Sequence, residues 1–319
     1  MRKLLFLVLI LVFNTITATA GRKNKKSDNI EEIRSKYTVS PFFLYENPKL
    51  SIRNLINDRS NIIYKPNVNG SFGVKLGYKK FSIALAFKLP QTNVYGNTKT
   101  SKIGVDIQGK NIGFAVFYNS YKGLYLDNYN HFSGHELILR PDIKYYATGF
   151  YSTIDFSKDF SMKAAFAQTE RQKHTAGSFM LMVGDKFTRV RADSSFILPE
   201  EQEWYGDTKD ITATNTNNIR FTPGYGMSFI FEEYFSVTAV LFTGFDFQLN
   251  FYKKSGKTKL RANFPFYSQG RLAVGYNKDE WFCNLIYTID MNYIKFTDSR
   301  FNIYNNYFKI SVGKRFGSY

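Results

Sequence analysis

The stretch FSVTAVLFTGFDFQLNFY, residues 235–252, decides the fold of this chain. Every second residue from Phe235 to Phe251 is apolar except Thr243, while the residues between them become polar along the second half. A period of two over this length predicts a β-strand with one apolar face and one wet face. A tilted strand crosses a bilayer in about 9–11 residues. This strand is therefore long enough to cross a membrane and to project beyond it.

The same alternation recurs along most of the chain. Segments with this period are 37–45, 49–53, 68–78, 81–89, 112–118, 143–156, 160–168, 219–231, 260–276 and 281–296. An apolar face this regular on so many strands favours contact with lipid over burial in a core. We expect an all-β fold, a transmembrane antiparallel β-barrel of about 12 strands, with about 10–14 allowed by the even counts of bacterial barrels.

The connections between these segments fall into a short and a long class. The short turns are 79–80, 157–159, 232–234 and 277–280, and the longer segments are 90–101, 127–137, 171–177, 191–218, 253–258 and 297–302. Bacterial barrels have short periplasmic turns and longer outer loops, so we expect the long set to face outside. Residues 187–197 fit one strand, two strands or a loop.

The first residues have the order of a secretory signal peptide. Arg2 and Lys3 precede an apolar run at 4–13 and the small-residue motif that ends at Ala20. The run is too short for a membrane-spanning helix, which needs about 20 residues. We expect a signal peptide at 1–20 cleaved after Ala20, a polar flexible segment at 21–36 and the barrel at 37–319.

Composition narrows the classes of partner. The formal net charge is +17, aromatic residues make up 18% of the chain and the mean hydropathy is −0.31. A basic balance is typical of proteins that meet nucleic acid, membrane surfaces or anionic solutes, and export argues against nucleic acid. Barrels carry aromatic girdles at both membrane boundaries, which would account for the aromatic content. Cys283 is the single cysteine, which excludes an intrachain disulfide, and its parity predicts a lipid-facing position.

The residues of inward parity form the candidate binding surface. They are Lys75, Lys88, Lys163, Arg220, Lys259, Arg261 and Arg271, against Asp246 and Asp290. One interpretation is a positive lumen that favours anionic solutes, with Lys75, Lys163, Arg220, Arg261 and Arg271 as binding residues. The other is a plugged interior in which these cations pair with carboxylates. A cluster of loop lysines at 253, 254, 257 and 259 could instead bind lipopolysaccharide phosphates, or simply be solvated.

The sequence contains few residue patterns that are typical of catalytic sites. His131 and His135 have the spacing of a helical zinc pair, but Ser133 and Gly134 argue against a helix and no third ligand follows. We therefore predict no metal site and no cofactor. An alternative is an outer-membrane hydrolase in which Asp127 or Glu136 pairs with either histidine at the outer rim. A third interpretation, a soluble periplasmic lipocalin-like binder, would bury the apolar faces inside.

The last strand-like segment, 307–316, alternates with Phe308, Ile310, Val312 and Phe316 on one face. This pattern is similar to the C-terminal signal read by the barrel-assembly machinery, although three residues follow Phe316. We expect the partners to be the assembly and secretion machinery, outer-membrane lipids and lipopolysaccharide. The oligomeric state stays open.

Several short motifs carry a family resemblance. They are the YKPN tetrapeptide at 64–67 followed by Gly70 and Gly73, the DIQ tripeptide at 106–108, the YKG tripeptide at 121–123 and the GSF tripeptide at 177–179. Together they resemble domain-of-unknown-function family 4421, exported barrel proteins of Gram-negative bacteria. The resemblance spans roughly residues 35 to 319. It implies an outer-membrane location and no particular activity.

Overall fold

The chain forms one large antiparallel sheet. The computed structural model describes residues 27–33, 35–56, 61–68, 70–78, 81–90, 93–108, 111–132 and 136–317. The strands in the first half are β1 Ile30–Glu32, β2 Tyr37–Asn54, β3 Asn61–Lys65, β4 Ser71–Tyr78, β5 Phe81–Lys88, β6 Lys99–Gln108, β7 Ile112–Leu126 and β8 Leu139–Asp155. Those in the second half are β9 Glu170–Gln172, β10 Ala176–Arg191, β11 Ile211–Phe231, β12 Phe235–Lys254, β13 Lys257–Asn263, β14 Phe266–Asn277, β15 Trp281–Lys295 and β16 Ser299–Phe316.

Twelve of these strands close into a ring. Its members, in ring order, are β2, β4, β5, β6, β7, β8, β10, β11, β12, β14, β15 and β16, and β16 pairs back with β2. β3 pairs with both β2 and β7. β13 pairs with residues 248–254 of β12, above the part of β12 that pairs with β14. β2 begins and β16 ends at the same end of the ring, which we call the lower end; the opposite end is the upper end. The prediction of an all-β barrel of about 12 strands is confirmed.

An apolar belt surrounds the outside of the ring. On β11 the outward residues are Phe231, Phe229, Met227, Tyr225, Pro223, Phe221 and Ile219, and the next outward residue is Asn217. At the usual strand rise and tilt this run covers about 30 Å, the thickness of a hydrocarbon core. Exposed phenylalanines such as Phe221 (66%) and Phe245 (64%) lie on this face. The lipocalin-like interpretation, which needs these rings inside, is wrong.

Aromatic pairs mark the lower edge of the belt. The ring centroids of Tyr37 and Tyr78 lie 5.5 Å apart, and those of Phe235 and Tyr276 lie 4.9 Å apart. Each pair joins neighbouring strands at the lower end of the ring. This is the position of an aromatic girdle at a membrane–water boundary. Cys283 is exposed on the same outer face, as its parity predicted.

Above the belt the apolar parity is reversed. Ile52, Ile62, Leu126, Ile143 and Phe301 are buried and pack together inside the upper third of the barrel. Because the outside of this third meets water, its apolar side chains stabilise the fold only where they face inward and are removed from water. A β-bulge at Gly123 in β7 accommodates this reversal of the faces. Gly123 adopts a left-handed conformation there (φ 87°).

The predicted strand at 160–168 is wrong. These residues lie in the connection from β8 to β10 and include a π-helical turn, Lys163–Ala167. Phe160 and Ala165 are buried, and Gln168 adopts a left-handed conformation (φ 58°) that ends the turn. The alternating apolar residues here pack within the barrel end and do not face lipid. The connection therefore returns to the lower end, so the assignment of 171–177 to the outer loops is also wrong.

Other sequence predictions change in detail. The segment 253–258 is a hairpin with the two-residue turn Ser255 and Gly256 between β12 and β13. In the ambiguous region 187–197, residues 187–191 form the end of β10. Within residues 21–36, which we expected to be flexible, Ile30–Glu32 form β1 and pair with β9. The signal peptide at 1–20 and the turn at 79–80 lie outside the described residues. Within the described ranges, no helix is both long and apolar enough to cross a membrane.

Candidate functional site

The upper mouth of the barrel is filled by the connection from β10 to β11, residues 192–210, which we call the cap. Phe196 and Tyr205 are fully buried in the apolar cluster of the upper third. The Tyr64 hydroxyl donates a hydrogen bond to the Phe196 carbonyl (2.8 Å), and the Tyr205 hydroxyl donates one to the Ile52 carbonyl (3.0 Å). Buried aromatic anchors with satisfied hydroxyls hold the cap inside the mouth.

Ion pairs fix the rim of the cap. The Lys254 Nζ lies 3.0 Å from Asp207 Oδ1, and the hydrogen bond from Lys254 lowers the pKa of the Asp207 carboxyl. The backbone N–H of Asp207 donates to Asp298 Oδ2 (2.9 Å). On the other side, Arg140 donates to the Ser195 carbonyl (3.0 Å). The cap is thus attached to strands on both sides of the mouth.

The lower end is filled by residues 27–33 and 156–175, which we call the plug. Its Arg171 forms an ion pair with Asp279 (2.5 Å) and donates from Nε to the Asn277 carbonyl (3.0 Å). The Lys163 Nζ lies 3.2 Å from Glu170 Oε1. Glu170 also accepts a hydrogen bond from Ser161 Oγ (2.5 Å), so this carboxylate holds the start of the π-helical turn.

A cavity of ≈ 470 Å³ lies inside the barrel wall above the plug. Its lining is two-sided. Small and apolar residues of β5, β6 and β7 form one side, and these include Ala84, Ala86, Gly104, Ala115 and Phe117. The ionisable residues of the lining are Lys75, Lys102, Lys163, Lys186, Arg271 and Lys309, with Glu46, Asp155 and Asp290 as carboxylates. Six cations therefore face three carboxylates around this space.

The cations differ in how they are compensated. Lys102 forms an ion pair with Glu46, and the Lys186 Nζ lies 4.0 Å from Asp290 Oδ2. Among the described residues none forms a hydrogen bond or ion pair with Lys75. Arg271 hydrogen-bonds the neutral Gln269 (2.7 Å), and no described carboxylate forms an ion pair with it. The cavity thus keeps positive charge that the described side chains leave uncompensated.

Arg220 lies inside the barrel but is not available to a ligand. Its guanidinium donates to Asp246 through Nε (2.9 Å) and through the second terminal nitrogen (2.7 Å). It also donates to Asn292 (2.8 Å) and stacks 3.2 Å from the Tyr267 ring centroid. The side chain is fully buried. Arg220 therefore fills space beside the cavity, as the plugged interpretation expects.

The structure brings together three of the five predicted binding residues. Lys75, Lys163 and Arg271 line the cavity, with Lys163 contributed by the plug. Arg261 lies near the upper rim, where it hydrogen-bonds Asn263 and Thr297. The other two inward candidates lie elsewhere, since Lys88 donates to the Thr98 carbonyl (3.1 Å) and Lys259 is exposed on β13.

Sequence reasoning missed three cations of the cavity. These are Lys102, Lys186 and Lys309. Alternation could have found Lys309, which lies between the outward Phe308 and Ile310. Lys102 on β6 and Lys186 on β10 follow the same alternation, but neither strand was among the predicted segments.

The rim residues of the hydrolase hypothesis do not form a pair in the described part of the chain. Asp127 lies 2.8 Å from the Lys65 Nζ, while His131 is exposed at the end of a short 3₁₀ turn. His135 lies outside the described residues, so the hydrolase alternative stays a prediction. Within the described ranges, no cluster of His, Cys, Asp and Glu residues could hold a metal ion.

A row of cations follows the strand registers across the outer surface above the apolar belt. The strand registers place Lys99 opposite Lys122, Lys122 opposite Lys144, and Lys144 opposite Arg191. After Ala213 on β11 the same register line continues with Lys253 on β12. All five cations, which we call the cationic row, are exposed. Like charges directly opposite one another destabilise a sheet, and this row concentrates them on one face of the barrel.

A groove of ≈ 470 Å³ lies at the end of this row. It is lined by Arg189, Arg191 and Lys253, with Asp193 as the carboxylate and Phe251 at its lower side. The predicted cluster of hairpin lysines is divided between faces, since Lys254 points toward Asp207 and Lys253 belongs to the outer groove.

A closed antiparallel ring with an apolar outer belt and a polar, filled interior defines an outer-membrane β-barrel protein. The chain belongs to the DUF4421 family, described as a domain of unknown function, whose family model matches residues 26–316. This agrees with the resemblance found in the sequence motifs. No curated protein matches the sequence.

Solved barrels are similar in fold. The outer-membrane protease OmpT of Escherichia coli is 10% identical with a TM-score of 0.44, over 88% of this chain and 96% of that one. The translocator domain of the autotransporter NalP of Neisseria meningitidis is 9% identical with a TM-score of 0.39, over 99% and 98%. The Pseudomonas putida toluene transporter TodX is 8% identical with a TM-score of 0.30, over 89% and 91%. At these scores the likenesses carry no argument about activity.

Proposed function

We propose that this barrel binds a small anionic molecule in its closed interior and passes it on, and that it is not an open pore. The observation that carries the proposal is the positive balance of the cavity above the plug, where six cations face three carboxylates of the lining and a fourth carboxylate, Glu170, pairs with Lys163. Lys75 and Arg271 have no anionic partner among the described residues. An uncompensated cation in a confined, low-dielectric space is costly, and an anionic ligand would offset that cost.

The filled ends of the barrel support binding over free passage. The cap buries aromatic side chains in the upper mouth, and the plug is hydrogen-bonded to the strands around the lower end. Ion passage requires a continuous wet path, which both segments interrupt. In planar bilayers we expect no steady conductance from the purified protein. A steady channel, of either ion preference, would overturn the closed-interior proposal.

Ligand charge can be tested with two dyes that share one ring system. We expect anilinonaphthalene sulfonate to bind the amphipol-trapped protein, and the uncharged phenylnaphthylamine to bind much more weakly. Lys75→Gln and Arg271→Gln should each weaken sulfonate binding by about tenfold or more, since a charged hydrogen bond contributes about 1.5–3 kcal/mol. Arg261→Gln at the rim is the matched control. Equal binding of both dyes, or equal loss in the control, would refute the proposal.

We further propose export through the secretion machinery to the outer membrane of a Gram-negative bacterium. The signal-like residues 1–20 support this, with cleavage after Ala20. The alternating face of β16 supports handling by the barrel-assembly machinery. Sequencing the N-terminus of the mature protein tests the first point. Heat-modifiable gel migration in the outer-membrane fraction tests the second, and a mature protein that retains residues 1–20 would contradict the export route.

The cationic row favours lipopolysaccharide as the lipid partner. The cations of the row are exposed on the outer face above the apolar belt, and Lys and Arg bind phosphates through charge-assisted hydrogen bonds. We expect the triple variant Lys122→Gln, Lys144→Gln, Arg191→Gln to retain less lipopolysaccharide after purification, and wild-type retention to fall as salt rises. Lys257→Gln, on the neighbouring hairpin, is the control. Unchanged retention in the triple variant would exclude this role.

A further inference from the structure

The barrel wall is incompletely paired between β5 and β6. The two strands pair from Phe81 to Ala84, opposite Ile107 to Gly104, and not beyond. Residues 85–88 remain paired with β4 on their other side, and residues 99–103 remain paired with β7. Both strands therefore continue upward in regular geometry while they separate from each other. We call the space between residues 85–88 and residues 99–103 the window.

The window has a closed upper frame. Above it, β3 leaves β2 and pairs with β7 through Tyr64 opposite Leu126 and Lys65 opposite Tyr125. The Lys88 Nζ reaches across the top of the window to the Thr98 carbonyl (3.1 Å). The opening is thus bounded on all sides by the protein and is not a general fraying of the sheet edge.

The internal cavity extends to the window. Ala84 and Ala86 on one edge and Gly104 on the other line the cavity, and these residues have almost no side chain to fill it. A Cβ placed on Gly104 would meet no atom within 4 Å. Ile103, which is 55% exposed on the outer face of the barrel, also contributes to the cavity lining. The cavity therefore reaches the outer surface at this place.

The window opens on the upper part of the apolar belt. Leu85 and Phe87 on one edge and Ile103 on the other are apolar and exposed on the outer face, and Lys99 lies at the top of the second edge. Unpaired backbone groups facing hydrocarbon would be very costly, whereas backbone that lines a polar, water-accessible cavity is tolerated at membrane depth.

We infer that the window is a side entrance through which a single-chain amphiphile with an anionic head group passes between the outer leaflet and the cavity. The inference rests on the proposed function and specifies its ligand class. The apolar side of the cavity, on β5 to β7, fits an acyl chain, while Lys75 and Arg271 face the charged head. The head group is a carboxylate or a phosphate ester, since both offer the same charged oxygen acceptors.

The test bridges the window without changing the charged residues of the cavity. In a Cys283→Ser background, Leu85→Cys and Ile103→Cys place two thiols on the outer edges of the window for a bis-maleimide linker. Ile83→Cys with Val105→Cys, directly opposite one another on the paired part of the same strands, is the matched control. The probe is doxyl-stearic acid in phospholipid bilayers, followed by its immobilised spin signal, with its uncharged methyl ester as the second probe. Lysophosphatidic acid as a competitor distinguishes the phosphate source from the carboxylate source.

We expect the bridged window to slow entry of doxyl-stearic acid by an order of magnitude, with the control bridge leaving the rate unchanged. The final bound fraction should be equal in both, because the binding residues are intact. A rate that the window bridge leaves unchanged would overturn the side entrance while the proposed function stands. Absence of acid binding to the unbridged protein would instead remove the proposed function.

A second variant tests the inference without a cross-link. Gly104→Trp should fold, since the space beside Gly104 is empty, and should slow entry by filling the inner side of the window. Gly270→Trp is its control, since Gly270 also has no neighbour within 4 Å of an added Cβ but faces lipid on β14. Equal entry rates for the two variants would contradict the side entrance.

Discussion

Arg220 and Asp246 lie directly opposite one another on β11 and β12, and their side chains form a two-bond ion pair of 2.9 and 2.7 Å inside the barrel. Asn292 on β15 accepts a further hydrogen bond from the same guanidinium. The pair therefore ties three strands across the interior. One terminal nitrogen of Arg220 has no hydrogen-bond acceptor among the described residues, and the Tyr267 ring covers the group at 3.2 Å.

Breaking this pair should be strongly destabilising. Arg220→Met leaves a buried carboxylate at Asp246, and removal of one partner of a buried pair typically costs about 3–5 kcal/mol. The double variant Arg220→Met, Asp246→Leu should recover most of that loss, because no buried charge remains. The free energy of unfolding from urea titration in phospholipid vesicles measures both. Arg261→Met at the rim is the control, and a double variant no more stable than the single one would contradict the argument.

Gly313 on β16 lies opposite Phe282 on β15, and an added side chain there would collide with the phenylalanine ring. Gly313→Ala should therefore lower the free energy of unfolding by about 1–3 kcal/mol through overpacking. Phe282→Ala in the same chain should make Gly313→Ala nearly neutral, since the obstructing ring is gone. Gly270→Ala, facing lipid with open space around it, is the control and should change little.

Opening of the cap should depend on pH through Asp207. Lys254 lowers the pKa of this carboxyl in the folded protein. The ion pair therefore contributes stability above the ordinary aspartate pKa of about 3.9, and that contribution is lost as pH falls through the lowered value. The protection factors of the cap amides, which correct for the intrinsic exchange rate at each pH, should fall over that range. In Lys254→Met this fall should be absent, and an identical pH profile of the protection factors in both proteins would exclude Asp207 as the cause.

Cys283 provides a direct test of the outward apolar face. A bimane label on Cys283 should be quenched by lipids that carry a nitroxide on the acyl chain, because the thiol is exposed on the lipid side of β15. The neighbouring position offers a matched control, since Asn284 is buried and points inward. In Cys283→Ser, Asn284→Cys the thiol should label slowly and stay unquenched. Strong quenching at position 284 would mean that the strand faces the other way.

The sequence by itself determined the barrel. Alternation is a local property of each strand, so residues 235–252 and the equivalent segments revealed their lipid face without knowledge of their neighbours. The same rule identified Lys75 and Arg271 as inward cations and Cys283 as an outward thiol. It was misleading at 160–168, where apolar residues at alternate positions pack inside the plug and not against lipid.

Only the tertiary structure decided whether these inward charges are paired and whether the interior is open. The partner of Arg220 lies 26 residues away on another strand, and the carboxylate of Lys163 lies in the plug. The strand registers align the cationic row across five strands, and they leave β5 and β6 unpaired above Ala84. Register depends on pairing between distant segments and on loop lengths, which no single segment of sequence encodes.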